Sequence, residues 1–299
     1  MIIAMLFSAC STGIESTKKI KMNKYEARQM VKSDEQNYAS QLHGVPLEKW
    51  EVGKEFMTMN QRALYLFDPS TTEQADNDSF AGKILKFVGS ETSMTPDLKE
   101  ECVLLFSDGG NIFKYNTGKT GQQALKEIDS SKLPLLSDIN LIDEWKKMLM
   151  GKTLWTRSSL WYDEAGHRVD GLKFSEVTIT DIEPATGDFP MRLKLQHADR
   201  TAYMYMNYTS DTADSRNFAA LFFLSDPKNK YPQISDENWH LIQAGRVGPG
   251  MTKDECRLAL GTPDELRAGH STSSTVDIWQ YSNGTYLYFT DGLLTTFRQ

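Results

Sequence analysis

An internal duplication constrains the fold of this 299-residue chain more than any other feature of its sequence. The stretches 46–143 and 144–240 carry similar apolar and turn residues in the same order. The matches include Gly53-Lys54 with Gly151-Lys152, 82–88 with 171–177, Phe113 and Tyr115 with Tyr203 and Tyr205, and Ser137-Asp138 with Ser235-Asp236. Because such repeats are one structural unit used more than once, we expect the two stretches to share a fold.

Alternation of apolar and polar residues predicts mostly strands in both copies. Segments 172–182 and 191–195 alternate in this way, and Asp108-Gly109-Gly110 is typical of a turn between two strands. Cap residues at Ser137-Asp138 and Ser235-Asp236 predict one helix after each set of strands. Each copy is therefore predicted to be a small antiparallel sheet or barrel closed by one helix.

The last part of the chain, from about 241, differs from the two copies. Thr252 and Glu255 have the spacing of a helix capping box, and Gly261 supplies a helix stop. Asn283-Gly284 and Asp291-Gly292 are the strongest short hairpin signals in the chain. Three strands are predicted around them, over 276–282, 285–290 and 293–298.

Four C-terminal segments carry a family resemblance. They are 245–255, Leu260-Gly261-Thr262-Pro263, Trp279-Gln280-Tyr281 and 289–293. Together they resemble the SmpA/OmlA (BamE-like) lipoprotein domain, which implies two helices and a three-stranded sheet over 241–299. The whole chain is therefore predicted to be α+β, with two β-rich tandem repeats of one small sheet or barrel unit followed by a C-terminal two-helix, three-stranded BamE-like domain.

The N-terminus resembles the signal peptide of a bacterial lipoprotein. An apolar run ends in Ser8-Ala9-Cys10, as in a lipobox, and a polar stretch over 11–24 follows. Residues 1–10 are therefore predicted to be a signal peptide, Cys10 the lipid attachment site, and 11–45 a tether and helix. The alternative is an N-terminal strand with a buried thiol. The first interpretation predicts a protein of the bacterial outer membrane that is lipid-anchored and faces the periplasm.

Charge and residue spacing argue against several classes of function. The net charge is −7 and the pI is near 5.4. A nucleic-acid-binding protein needs clustered Lys and Arg, so these values argue against that class. Gly118-Lys119-Thr120 and Gly151-Lys152-Thr153 lack the earlier glycine of a phosphate-binding loop. The five histidines are not at metal-ligand spacing. We therefore predict no enzyme activity, no cofactor, no metal site and no nucleic-acid partner, and we expect Cys102 and Cys256 to be buried, free thiols.

Turn positions in the C-terminal sheet predict which residues share a face. If Asn283-Gly284 is a two-residue turn, Trp279 lies opposite Tyr288, and Asp291-Gly292 continues the same register into the last strand. An aromatic contact surface is therefore predicted on one face of the sheet, formed by Trp279, Tyr281, Tyr286, Tyr288 and Phe297. Either the second repeat of the same chain or an external partner would cover it.

The function predicted from these features is that of a non-enzymatic envelope lipoprotein that presents a protein-binding surface. A role in outer-membrane assembly or integrity, with a protein partner in the envelope, is one form of this function. Two alternatives remain open. The first is a module that binds glycan or another envelope ligand through aromatic residues on the repeat sheets. The second is an inhibitor of an envelope hydrolase, which follows only from the fold likeness of the SmpA/OmlA domain to beta-lactamase inhibitory protein.

Overall fold

The computed structural model describes residues 32–72, 80–208, 216–270 and 275–298. Five antiparallel strands form its first sheet. A helix, α1 (Asp34–Ala39), precedes them. The strands are β1 (Glu55–Thr58), β2 (Ile84–Met94), β3 (Glu100–Ser107), β4 (Ile112–Asn116) and β5 (Leu136–Asp138). They are hydrogen-bonded in the order β4-β3-β2-β1-β5, and two short helices, α2 (Pro69–Thr72) and α3 (Gly121–Glu127), contact β4 and β3. Phenylalanines dominate the core of this sheet, among them Phe56, Phe106 and Phe113.

Seven strands form the second sheet. They are β6 (Thr153–Thr156), β7 (Leu160–Tyr162), β8 (Arg168–Asp170), β9 (Glu176–Pro184), β10 (Met191–His197), β11 (Arg200–Met206) and β12 (Phe222–Phe223). Their order is β12-β6-β9-β10-β11-β7-β8. The amphipathic helix α4 (Ile139–Leu149) packs against β9 and buries Trp145 in the core of this sheet, together with Phe218 of α5 (Phe218–Leu221).

The C-terminal region combines two helices with a third sheet. The elements are α6 (Asp236–Gln243), α7 (Lys253–Leu260), β13 (Glu265–His270), β14 (Thr275–Gln280), β15 (Tyr286–Thr290) and β16 (Leu293–Arg298). The four strands are antiparallel neighbours in chain order. The predicted capping box is confirmed, because Glu255 accepts from the Thr252 N–H at 2.7 Å while the Thr252 hydroxyl accepts from the Glu255 N–H.

The predicted fold class is wrong. The described residues form sixteen strands in three sheets, so the chain is β-rich, and its C-terminal region is not a two-helix, three-stranded BamE-like domain. The missed strand, β13, does not alternate clearly between apolar and polar residues and contains Ala268-Gly269, which have low strand propensity. Six residue pairs with β14 hold this segment as a strand. Tertiary pairing therefore overrides the local preference of the sequence.

The first two sheets differ in size, because the second also contains β7 and β8. The remaining five strands nevertheless follow the same order, β4-β3-β2-β1-β5 in the first sheet and β11-β10-β9-β6-β12 in the second. Equivalent backbone bonds accompany them: the Gly53 N–H donates to Phe87 at 2.7 Å, and the Gly151 N–H donates to Ile179 at 2.8 Å. Duplication of 46–143 and 144–240 stays a prediction, and this shared order supports it.

Helices connect each sheet to the next. As predicted, α4 follows the cap residue Asp138 and α6 follows the cap residue Ser235. Neither helix closes the sheet before it, however, since α4 packs in the core of the second sheet and α6 in the core of the third. The three sheets consequently lie in one compact unit, Asp34–Gln299.

A buried ion pair joins the first two sheets. The Asp138 carboxylate caps α4 by accepting from the Leu141 N–H at 3.2 Å, and it also accepts from the Lys54 ammonium at 2.7 Å. Both side chains are buried, with 8% of Lys54 and 0% of Asp138 exposed. Lys54 precedes β1 and Asp138 ends β5, so the pair links the first sheet to the helix that fills the second core.

Candidate functional site

The hairpin between β14 and β15 determines which aromatic residues of the C-terminal sheet are exposed. The Tyr281 N–H donates to the Thr285 carbonyl at 3.0 Å, so the loop contains the three residues 282–284. Gly284 has a φ of +85°, and its N–H donates to the Tyr281 carbonyl at 3.0 Å. A three-residue loop that ends in a left-handed glycine is a common hairpin type. The predicted two-residue turn is therefore wrong by one residue.

That one residue reverses the faces of the sheet. Trp279 lies opposite Leu287 instead of Tyr288, and side chains alternate along each strand. Only 1% of Trp279 is exposed, and the centre of its ring lies 4.7 Å from that of Phe289. Tyr281 is also buried, and its hydroxyl donates to a backbone carbonyl at 3.2 Å. Both rings thus belong to the core beneath α7, and burial raises the pKa of Tyr281 to about 12.

The other residues of the predicted contact surface do not share one face. Tyr286 and Tyr288 point away from the side of the sheet that Trp279 occupies. Phe297 pairs with Leu287 and so lies on the side of the core, near the end of β16, where it is 36% exposed. A bulge beside Tyr288 shifts its pairing with β16 by one more residue. The five aromatic residues named from the sequence are therefore not brought together.

A different set of apolar side chains occupies the opposite side of this sheet. We define the outer face, the side away from α6 and α7, by its apolar residues Val276, Ile278, Tyr286, Tyr288 and Leu293. Tyr288 and Leu293 are 38% and 47% exposed, and the other three are half-buried. Single exposed apolar residues are ordinary, whereas a contiguous apolar patch on a water-facing domain marks an interaction surface. The outer face is consequently the candidate site.

Arginines border the outer face on both sides. Arg267 on β13 lies opposite Ile278, and Arg298 on β16 lies opposite Tyr286. Both arginines are exposed, and Arg267 pairs with Glu265 at 3.1 Å. Charges at the rim of an interface affect the choice of partner and the rate of association. An apolar partner surface with acidic residues at its rim would complement this arrangement.

The remaining predicted sites lie elsewhere. Cys10, the predicted lipid attachment site, lies outside the described residues. Cys102 and Cys256 are buried and free, as predicted, and burial raises the pKa of both thiols. Within the described part of the chain, no cluster of His, Cys, Asp and Glu could hold a metal ion. Among the described residues, no helix has the length and apolar character needed to cross a membrane.

Comparison with protein families, curated proteins and solved structures finds no match to the chain. The resemblance to the SmpA/OmlA lipoprotein domain therefore stays a prediction from the quoted residues, and the fold that it implied is corrected above. Functional interpretation rests on the chain's own geometry.

Proposed function

We propose that this protein is a non-enzymatic envelope lipoprotein that holds a protein partner on the outer face of its C-terminal sheet. The observation that carries the proposal is the exposure of Tyr288, which lies opposite Ile278, and of Leu293 on the same face, the side that α6 and α7 leave open. Burial of apolar area contributes about 25 cal/mol for each Å2 removed from water. Aromatic residues and arginine are also enriched at protein interfaces.

The shape of the outer face favours a protein over a small ligand. Small molecules bind mostly in concave sites that enclose most of their surface. The outer face is instead one side of a continuous four-stranded sheet, with apolar residues on β14, β15 and β16. A partner that covers these strands would bury Ile278, Tyr288 and Leu293 together, which is the arrangement of an apolar interface centre with a charged rim.

The envelope location in this proposal depends on the N-terminal residues alone. Ser8-Ala9-Cys10 follow an apolar run, and lipid attachment at Cys10 would tether the chain to the outer membrane, facing the periplasm. Tethering raises the local concentration of the outer face near membrane-bound partners. A modest intrinsic affinity would then be sufficient for function.

Site-specific crosslinking in the native host tests the proposal. A photoreactive phenylalanine analogue at position 288 should give a discrete protein adduct, because this side chain would lie within the interface. The same analogue at position 65 is the matched control, since Tyr65 is a strongly exposed tyrosine outside the C-terminal sheet. Ile278→Lys should abolish the adduct from position 288, because it places a charge at the centre of the apolar face.

Two results would contradict the proposed function. The first is the absence of any protein adduct from position 288 in the native envelope. The second is an adduct that forms equally from position 65 and persists in the Ile278→Lys protein, because this would indicate nonspecific proximity.

The structure affects the two alternative functions differently. Binding of glycan or another envelope ligand stays a prediction, and soluble glycan that displaced the adduct at position 288 would favour it. The hydrolase-inhibitor alternative depended on the likeness of the predicted C-terminal fold to an inhibitory protein. Since that fold prediction is wrong, this alternative loses its support.

A further inference from the structure

The hairpin of β2 and β3 extends beyond the other strands of the first sheet. β1 pairs with β2 only up to Lys86, and the Phe87 backbone bonds to the two residues before β1. Among the described residues, 89–94 pairs with β3 on one side and with no strand on the other. We call 89–101 the arm. Lys and Pro, which commonly block a free strand edge, are absent from 89–94, so the edge is open to a further strand.

Backbone direction shows which residues of the arm could pair with that strand. Cys102 bonds through its N–H and its carbonyl to the segment 117–119, at 2.7 and 3.2 Å, so both groups face away from β2. Thr92 lies opposite Cys102, and the two residues of such a pair direct their backbone groups away from each other. Because this direction alternates along a strand, Ser90 and Met94 share it with Thr92. All three residues therefore present an N–H and a carbonyl to the open edge.

Exposed apolar side chains lie at both ends of the arm. Leu98, at the tip, is 80% exposed and has a φ of +59°, a conformation that is uncommon outside glycine. Val52, in the loop that bonds to the base of the arm, is 74% exposed. A cleft of about 370 Å3 beside Val52 has charged side chains in its walls, namely those of Lys49, Glu51 and Lys54.

We infer that two copies of the chain pair through their arms, antiparallel, about a two-fold axis at Thr92. In this register Thr92 lies opposite its own copy and Ser90 opposite Met94, so the outward backbone groups form two hydrogen bonds at each pair. Glu91 lies opposite Ser93. An axis at Glu91 would instead place two carboxylates side by side, which is unfavourable. The site is separate from the outer face and does not depend on the proposed function.

The same register brings the tip of one copy to the base of the other. Beyond Met94 the tip reaches the level of Phe87, where the loop that contains Val52 begins. Leu98 would cover Val52, and each would bury apolar surface that is exposed in the single chain. The tip segment 94–101 carries three acidic residues and one lysine, which complements the exposed Lys49 of the cleft.

Sedimentation velocity of the full chain tests the inference, in a Cys10→Ser background that also removes the predicted lipid. We expect a dimer that dissociates on dilution. Thr92→Pro should fold and be monomeric, because the Thr92 N–H does not pair with β3. Leu98→Gly should fold and weaken dimerisation by about tenfold or more, because the apolar contact is lost and glycine adopts the left-handed conformation readily. Ile112→Ala is the matched control, since Ile112 is exposed on β4, outside the arm.

A crosslink tests the register. The Cys10→Ser chain keeps only Cys102 and Cys256, which are buried. Thr92→Cys should crosslink between copies with a short bismaleimide, because directly paired residues lie about 5.5 Å apart at their Cα atoms. Ile112→Cys is the control for random collision.

Four results would overturn the inference. They are a chain that stays monomeric at every concentration, a folded Thr92→Pro dimer, a Leu98→Gly dimer as tight as that of Ile112→Ala, and equal crosslinking of Thr92→Cys and Ile112→Cys. Leu98→Gly and the crosslink decide the matter if Thr92→Pro fails to fold.

Discussion

Replacing Asp138 with alanine should lower the free energy of unfolding by about 3–5 kcal/mol, because it leaves the buried Lys54 side chain without its charged partner and with only the Asn140 amide oxygen, at 3.3 Å, as an acceptor. The same change removes the acceptor that caps α4. Chemical denaturation monitored by tryptophan fluorescence measures the difference. The double variant Lys54→Met/Asp138→Asn should recover part of the loss, because neither buried charge remains.

An exposed ion pair of the same chemistry provides the control for this prediction. Asp97 and Lys99 are 2.6 Å apart, and both side chains are largely exposed. Asp97→Ala should leave the stability almost unchanged, since solvent screens such pairs. Equal effects of Asp97→Ala and Asp138→Ala would show that the buried pair does not join the first two sheets as described.

Substitutions on the two faces of the C-terminal sheet should differ in their effect on the free energy of unfolding. Trp279→Ala should lower the free energy of unfolding by about 3–5 kcal/mol, because it empties the space that the ring fills against Phe289. Tyr288→Ala should cost about 1 kcal/mol or less, because this ring lies on the outer face. The register predicted from a two-residue turn would put both rings on the same face. Comparable losses for the two variants would therefore contradict the observed register.

Local signals located the ends of several elements correctly. The helix starts after Asp138 and Ser235 and the capping box at Thr252 are where the sequence placed them. Asp291-Gly292 forms the predicted two-residue turn, with Thr290 opposite Leu293. These signals work because a cap or a tight turn involves residues that are only a few positions apart.

The errors arose where the outcome depends on partners far away in sequence. Asn283-Gly284 is compatible with loops of two or three residues, and burial of Trp279 beneath α7 favours the longer loop. The strand β13 depends on its pairing with β14 instead of on its own pattern. A sequence-based prediction therefore found the correct sheet region but assigned the wrong side to its aromatic residues.

The candidate site was even less accessible from sequence. The outer face could be identified only after the register was known, since one residue of shift exchanges the two faces.

We expect a partner to cover the outer face of the C-terminal sheet in the native envelope. Hydroxyl-radical labelling of tyrosine, read by mass spectrometry, tests it on the full chain as purified and in intact envelopes. Labelling of Tyr288 should fall strongly in the envelope, while labelling of the exposed Tyr65 on the first part of the chain should stay the same. Tyr288 labelled to the same extent in both samples would contradict it.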